Sequence, residues 1–156
     1  MAPEIAPIRR KAKVDLPIAQ VFSLWTDSLV LWWPRAFTWS QEKLERIVIE
    51  PHAGGRCFER GPFDFHCDFG RVLVCEPPSL LRFTWQIAPD RTPQPDPEKC
   101  SEVEVRLAAA SPTSTTVAIE HRGFARHGDG GEAYRQGMEQ GWDELVRRLE
   151  ATAQPL

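Results

Sequence analysis

Four histidines and four cysteines are the side chains in this sequence that most readily bind metal ions or act as bases and nucleophiles. They are His52, His66, His121, His127, Cys57, Cys67, Cys75 and Cys100. The cysteines form no CxxC pair, and the histidines lack the spacing of a metal site. In the run His66-Cys67-Asp68, neighbouring side chains would point to opposite faces of a strand. We therefore expect neither a metal ion nor another cofactor.

The sequence also contains no GxSxG, Walker or Rossmann motif. The run Gly128-Asp129-Gly130-Gly131 could hold an anion at the start of a helix, but such a run is far more often just the flexible entry to that helix. Glu102 and Glu104 alternate with apolar residues, so we expect both to face solvent with ordinary pKa values. Because no acid–base pair stands out, catalytic activity stays open, and we favour a protein that is not an enzyme.

Large aromatic side chains are the unusual feature of the composition, with six Trp, eight Phe and one Tyr. Trp25 and Trp142 fit a core. Several other rings crowd a short segment with little regular structure, which is typical of either a cavity wall or additional core. The candidate ligand-binding residues are Trp32, Trp33, Phe37, Trp39, Phe69, Trp85, His121, Tyr134 and Met138.

The polar candidate for such a cavity is His121. It follows Val117 and Ile119 on the apolar face of the last predicted strand. It is either a buried histidine with all its hydrogen bonds inside the protein or the group that orients a ligand. Glu59 and Arg71 are weaker candidates, because the sequence does not fix which way their strands face.

A long C-terminal helix must position several of these residues. Its apolar residues recur at three- and four-residue steps: Tyr134, Met138, Trp142, Leu145, Val146 and Leu149. The pattern predicts a helix over 131–153. Gly137 and Gly141 each cost such a helix about 1 kcal/mol relative to Ala. We expect the backbone of a sheet to approach the helix closely at these glycines as compensation.

Strands and two short helices account for the remaining elements. Residues 8–14 form a predicted first strand, and Pro17 begins an amphipathic helix that ends near Asp27. Ser28 is expected to cap a second short helix over 29–33. From residue 44 to 122, short alternating segments and tight turns predict six strands of an antiparallel meander. The proline-rich stretch 89–97 is either a stiff exposed loop or a lid or partner-docking loop.

The whole chain reads as one domain over 8–153, with tails at 1–7 and 154–156. The formal net charge of −3, without a basic cluster, argues against nucleic acid. No apolar run is long enough to span a membrane. Residues 1–10 lack a hydrophobic signal-peptide core, so we expect a cytoplasmic protein with reduced cysteines. A disulfide between Cys57 and Cys67 across a hairpin is the alternative.

In their order and spacing, these motifs resemble the START-like (SRPBCC) helix-grip superfamily. Residues 21–27 followed by Trp32-Trp33-Pro34 are similar to the opening signature of the branch named after the activator homologue of the heat-shock chaperone ATPase. Further matches are Ile49-Glu50-Pro51, Gly54-Gly55, Gly70-Arg71-Val72, Pro77-Pro78, 81–85, His121-Arg122-Gly123-Phe124, and Gly141-Trp142 with Leu145 and Leu149. The resemblance covers 8–153. The loop at 89–97 departs from the shorter family pattern.

The resemblance implies an α+β helix-grip fold, in which a curved antiparallel sheet of six to seven strands wraps around the C-terminal helix. It also implies a small hydrophobic or amphipathic ligand in a cavity between sheet and helix. The aromatic candidates would then contact that ligand, and His121 would hydrogen-bond to it. A protein-interaction role of the co-chaperone type, with a chaperone partner, is the alternative. A small-molecule enzyme of the same superfamily is the third hypothesis, and a homodimer stays open.

Overall fold

A computed structural model describes residues 4–153 of the chain. Its strands are β1 (Ile8–Val14), β2 (Arg46–Ile49), β3 (Arg56–Arg60), β4 (His66–Glu76), β5 (Leu80–Trp85), β6 (Ser101–Ser111) and β7 (Ser114–Arg122). The helices are α1 (Ile18–Leu24) and α2 (Gly131–Ala151). Turns of 3-10 helix occupy Leu29–Leu31, Arg35–Phe37, Gln41–Lys43, Pro97–Lys99 and Phe124–His127. This order confirms the predicted helix-grip fold.

The seven strands form one antiparallel sheet in the order β1-β7-β6-β5-β4-β3-β2. From β2 to β7, each strand pairs with the next strand in the sequence. Strand β1 forms the far edge of the sheet and pairs with β7. Two register shifts fall in β4, where Phe69 and Leu73 are the extra residues opposite β3 and β5. Such bulges bend a strand and increase its twist. They turn β4 so that Phe69 is buried while Leu73 is largely exposed.

Helix α2 packs along β1 and closes the core. Trp142, Leu145 and Leu149 are buried at the three- and four-residue steps that the sequence predicted. They meet the inner residues of the sheet, which follow the alternating pattern of β6 and β7. The ring of Trp142 is 0% exposed. Burying large apolar side chains on one face of a helix is what holds that helix against a sheet.

The first helical segment is shorter than its pattern suggested. Helix α1 ends at Leu24, and the second short helix is the single 3-10 turn Leu29–Leu31. Ser28 does not cap this turn as expected, because its hydroxyl hydrogen-bonds to the Asp27 carboxylate instead. The chain then runs through two more 3-10 turns before β2 begins.

Residues 4–7, predicted as part of an N-terminal tail, are held against the domain. Ile5 packs on the core, and the Arg135 guanidinium donates to the carbonyl oxygens of Ala6 and Pro7 at 2.6 and 3.0 Å. The rest of the predicted tails, residues 1–3 and 154–156, lies outside the described residues.

Glu104 corrects the prediction that both acids of β6 face solvent with ordinary pKa values. It is 8% exposed, beneath Arg82, Arg106 and Arg122 on the outer face of the sheet. Burial opposes ionisation of this carboxyl, but hydrogen bonds from Arg106 and Arg82 and the charge of Arg122 outweigh it and lower the pKa of Glu104. The outer face therefore carries an ion-pair network.

All four cysteines are free. Cys57 lies opposite Gly70, and Cys67 lies opposite Glu59, so the two candidates for a disulfide do not face each other. Of the helices described between residues 4 and 153, none is long and apolar enough to cross a membrane.

Candidate functional site

A cavity of about 480 Å³ lies between α2 and the inner face of the sheet. Its volume falls in the range of roughly 300–1,000 Å³ that is typical of small-molecule sites. The sheet supplies Ile47 from β2, Glu59 from β3, Phe69 from β4 and Trp85 from β5. The segment 33–41 and the start of the proline-rich loop close the remaining sides. Distant parts of the chain meet here, so the cavity exists only in the folded domain.

The helical wall of the cavity contains both glycines of α2. Gly137 and Gly141 line it together with Tyr134, Met138 and Leu145, which share one helix face. A Cβ atom added at Gly137 would meet no described atom within 4 Å, and one at Gly141 would meet only a ring carbon of Phe37 at 3.9 Å. The predicted close approach of a sheet backbone is therefore wrong. The missing side chains leave open space.

Aromatic rings form the inner wall. Trp33 and Trp85 border the cavity with ring centres 6.2 Å apart, and Trp142 packs behind both at 6.5 and 6.3 Å. The 3-10 turn Arg35–Phe37 adds Phe37. Rings in edge-to-face and tilted contact are well packed and offer a broad apolar surface.

Tyr134 connects the wall to the proline-rich loop. Its hydroxyl donates to the carbonyl oxygen of Ile87 at 2.8 Å and accepts the indole N–H of Trp85 at 2.9 Å. Burial raises the pKa of Tyr134 to about 12, so the hydroxyl stays protonated. These bonds fix the start of the loop against the cavity.

Gln41, Pro89, Arg91 and Gly137 are the exposed residues of the cavity lining and mark its mouth, and Trp39 lies beside Arg91. The indole N–H of Trp39 donates to the carbonyl oxygen of Arg91 at 2.6 Å, which ties the segment after α1 to the proline-rich loop. Arg91 lines the cavity and is exposed, and no carboxylate in residues 4–153 lies within ion-pair distance of its guanidinium. Arg91 has a φ of 71°, a left-handed conformation that is costly for a residue with a Cβ. The loop at 89–97 thus forms part of the cavity rim.

Glu59 is the acidic side chain of the cavity wall. It is 2% exposed, and its carboxylate accepts the backbone N–H of Trp39 at 2.9 Å and the N–H and hydroxyl of Ser40 at 2.9 and 2.7 Å. These donors compensate for the loss of water around the charge. The sequence ranked Glu59 as a weak candidate because the bulge beside Cys57 and Phe58 hides the facing of β3. An acid within an otherwise buried strand was the available signal.

His121 does not line the cavity, which corrects its predicted contact with a ligand. The indole N–H of Trp142 donates to Nδ1 of His121 at 3.0 Å, and Nε2 lies 2.7 Å from the Ser101 hydroxyl. Because an indole only donates, Nδ1 must accept and the proton sits on Nε2. Burial, and then the nearby His127, hold the pKa of His121 well below its usual value. His121 is therefore the first of the two predicted alternatives, a buried histidine with its hydrogen bonds inside the protein.

The hydrogen-bonded chain continues to His127. The Ser101 hydroxyl lies 2.8 Å from Nε2 of His127, which also accepts the Ser101 backbone N–H at 3.1 Å. Burial lowers the pKa of His127 to about 4. Two neutral histidines and a serine therefore join β6, β7 and the turn before α2.

Trp32 also lies away from the cavity. Its indole N–H donates to the carbonyl oxygen of Leu24 at 2.6 Å, and its ring packs edge-on against Trp25 at 4.9 Å. The other seven predicted residues line the cavity: Trp33, Phe37, Trp39, Phe69, Trp85, Tyr134 and Met138. The sequence did not point to Gly137, Gly141 or Arg91 as cavity residues.

A protein-family model agrees with this architecture. The model for Activator of Hsp90 ATPase homolog 1-like proteins matches residues 15–154. The chain belongs to this family. The match begins just after β1 and includes all the elements that line the cavity.

Solved structures share the fold. An anthrahydroquino-γ-pyrone synthase, Txn09, is 26% identical with a TM-score of 0.68, and the match covers 99% of this chain and 100% of that one. A protein from Mesorhizobium loti is 22% identical with a TM-score of 0.63, over 93% of this chain and 94% of that one. A protein from Rhodobacter sphaeroides is 20% identical with a TM-score of 0.62, over 94% and 90%. No curated protein matches the chain.

Proposed function

We propose that this protein binds a small, largely apolar molecule in the cavity between α2 and the sheet. The observation that carries this proposal is the cavity of about 480 Å³ beside Gly137 and Gly141. Alanine at either position would strengthen the helix by up to about 1 kcal/mol. Space is available for that alanine, so the glycines keep volume at the expense of stability. Helix-grip family membership supports the same function.

The mouth supports an amphipathic ligand. The rings of Trp33, Phe37 and Trp85 would cover its apolar body, and burial of such surface supplies about 25 cal/mol per Å². The exposed guanidinium of Arg91 at the rim would favour an acceptor or an anionic group at the outer end of the ligand. The ligand contacts we propose are Trp33, Phe37, Trp39, Phe69, Trp85, Tyr134 and Met138.

Native mass spectrometry of freshly purified protein, compared with the denatured protein, tests this function. A ligand that is carried through purification would add a fixed mass to the native ion alone. Titration with 2-naphthoic acid provides the second test, because Trp33 and Trp85 lie in the wall and their fluorescence should change on binding. If no ligand is carried and no amphipathic aromatic acid binds, the proposed function fails.

Catalysis on the bound molecule is a second candidate function. Glu59 favours it, because a buried carboxylate on the wall of an apolar cavity can take up a proton from a bound substrate. Txn09, which is 26% identical, is a synthase by its name. Conversion of a hydroxylated polycyclic substrate by wild type, and its loss in Glu59→Gln, would support this candidate.

A co-chaperone role is the remaining alternative, and the family description refers to an Hsp90 ATPase activator. Phe63 at the β3–β4 turn is 96% exposed, with Phe65 partly exposed beside it. Leu31 and Leu73 are the other large exposed apolar side chains in residues 4–153, and four side chains are few compared with the roughly 800 Å² per partner of a stable interface. We therefore favour ligand binding.

A further inference from the structure

Glu59 is bonded to the protein on one side and borders the cavity on the other. Trp39 and Ser40, which supply its three hydrogen bonds, belong to the segment between α1 and β2. Cationic side chains in residues 4–153 do not reach it within ion-pair distance. Within the protein, its carboxylate is therefore stabilised by hydrogen bonds and not by an ion pair.

The carboxylate has accepting capacity to spare. An ionised carboxylate has about four acceptor positions on its two oxygens. Oε2 of Glu59 accepts both the N–H and the hydroxyl of Ser40, whereas Oε1 accepts only the N–H of Trp39. One acceptor position on Oε1 is thus left for another donor. Because Glu59 is shielded from bulk solvent and lines the cavity, a donor on a bound ligand can reach it.

We propose that the ligand carries a hydroxyl or amino group on an aromatic frame and donates from that group to Glu59. This inference rests on the proposed function and names the chemical class of its ligand. A ligand carboxylate placed beside Glu59 would bring two like charges together away from solvent, which is unfavourable. We therefore expect any anionic group of the ligand to lie toward Arg91, which also lines the cavity and is exposed.

The arrangement of the walls fits this class. Phe69, Trp85 and Trp33 line the same cavity as Glu59, and planar ligands stack on aromatic rings. A hydrogen bond to a charged acceptor out of water is stronger than one between neutral groups. A ligand with the same aromatic frame but no donor would leave one acceptor position of the buried carboxylate unfilled. The site should therefore discriminate by the donor more than by the size of the frame.

Calorimetric titration with 2-naphthol and 2-methoxynaphthalene at neutral pH tests the inference. The two probes share the aromatic frame, and only the naphthol can donate. We expect wild type to bind the naphthol at least tenfold more tightly. In Glu59→Gln the preference should fall below threefold, while the affinity for the methyl ether stays within twofold of wild type.

Glu42→Gln is the matched control, because it makes the same chemical change at an exposed residue that does not line the cavity. This variant should retain the tenfold preference. Equal binding of both probes by wild type would overturn the inference while leaving the proposed function in place. Binding of neither probe would also overturn the inference, whereas the proposed function fails only if native mass spectrometry and the titration with 2-naphthoic acid are negative as well. The wild-type comparison decides the matter even if Glu59→Gln does not fold.

Discussion

The two halves of α2 differ in what they face. In the C-terminal half, Trp142, Leu145 and Leu149 are buried against the sheet. In the N-terminal half, Tyr134 and Met138 are only partly buried, and Gly137 and Gly141 border open volume. The C-terminal half of the helix thus holds the fold together, and the N-terminal half, joined by Leu145, forms a wall of the cavity.

This difference shows how one element can serve both stability and binding. The packed half buries large apolar side chains, each of which contributes roughly 1.5–3 kcal/mol. The open half contains two glycines that weaken the helix by about 1 kcal/mol each. Because the packed half anchors the helix, the open half can keep its space. We expect substitutions in the two halves to have different effects.

Trp142→Ala should have the largest effect on stability. We expect a loss of about 3–5 kcal/mol, because a buried indole is removed and Nδ1 of His121 loses its donor. Met138→Ala in the open half should cost clearly less, about 1–2 kcal/mol, since its side chain lies at the cavity edge. Denaturant unfolding of both variants measures the contrast. A melting temperature of Trp142→Ala within about two degrees of wild type would show that α2 does not pack through this residue.

His121→Phe should separate stability from binding. A phenyl ring cannot accept from Trp142 or donate to Ser101, so the buried indole N–H loses its partner and the Ser101 hydroxyl keeps only His127. We expect a loss of about 2–4 kcal/mol in unfolding free energy. Affinity for 2-naphthoic acid should stay within about twofold, because His121 lies behind the wall. A tenfold weaker affinity with unchanged stability would show that His121 contacts the ligand after all.

Mild acid should weaken the packed region around His121 and His127. Both stay neutral when folded, since burial lowers their pKa values, whereas unfolded histidine has a pKa near 6.5. The unfolded state therefore binds more protons as the pH falls below about 6.5, and unfolding becomes easier. Each histidine that stays neutral in the folded state should lower the unfolding free energy by roughly 2 kcal/mol when the pH falls to about 5. A pH-independent unfolding free energy between about pH 7 and 5 would contradict this.

The loss should be smaller in His127→Phe. Comparing its unfolding free energy with that of wild type over the same pH range isolates the contribution of His127.

A co-chaperone role would depend on the outer surface of the protein rather than on the cavity, and it would raise the ATP turnover of the chaperone. We expect the isolated protein to change the ATP turnover of an Hsp90-type chaperone by less than about twofold, because its exposed apolar surface is small. A coupled ATPase assay measures this. Several-fold stimulation that is lost in Phe63→Ser or on deletion of residues 89–97 would reverse the ranking of the two functions.

The sequence predicted the fold well because its patterns are local. Alternation gave the bounds of β1 as the structure has them, and the three- and four-residue steps gave the buried positions of α2. Seven of the nine candidate site residues line the cavity, and three of them, Trp33, Phe37 and Trp39, come from the irregular segment whose crowded rings indicated a wall.

What the sequence could not predict depends on contacts between distant residues. The direction of Glu59 follows from a bulge in β4, which becomes visible only when β3 and β4 are paired. His121 was expected to face inward, but its partners Ser101 and Trp142 come from β6 and α2. Empty space at Gly137 has no local pattern at all. The sequence alone does not distinguish a glycine that allows close packing from a glycine that leaves open volume.

Calorimetric titration of Gly137→Leu with 2-naphthoic acid tests the central claim most directly. Leucine favours helix and would extend into volume where a Cβ meets no described atom within 4 Å, so the variant should be at least as stable as wild type. Gly137→Ala, the control, adds one methyl group and should keep most of the affinity. We predict that Gly137→Leu binds at least tenfold more weakly than both. Equal binding by Gly137→Leu and wild type would show that the ligand site lies elsewhere.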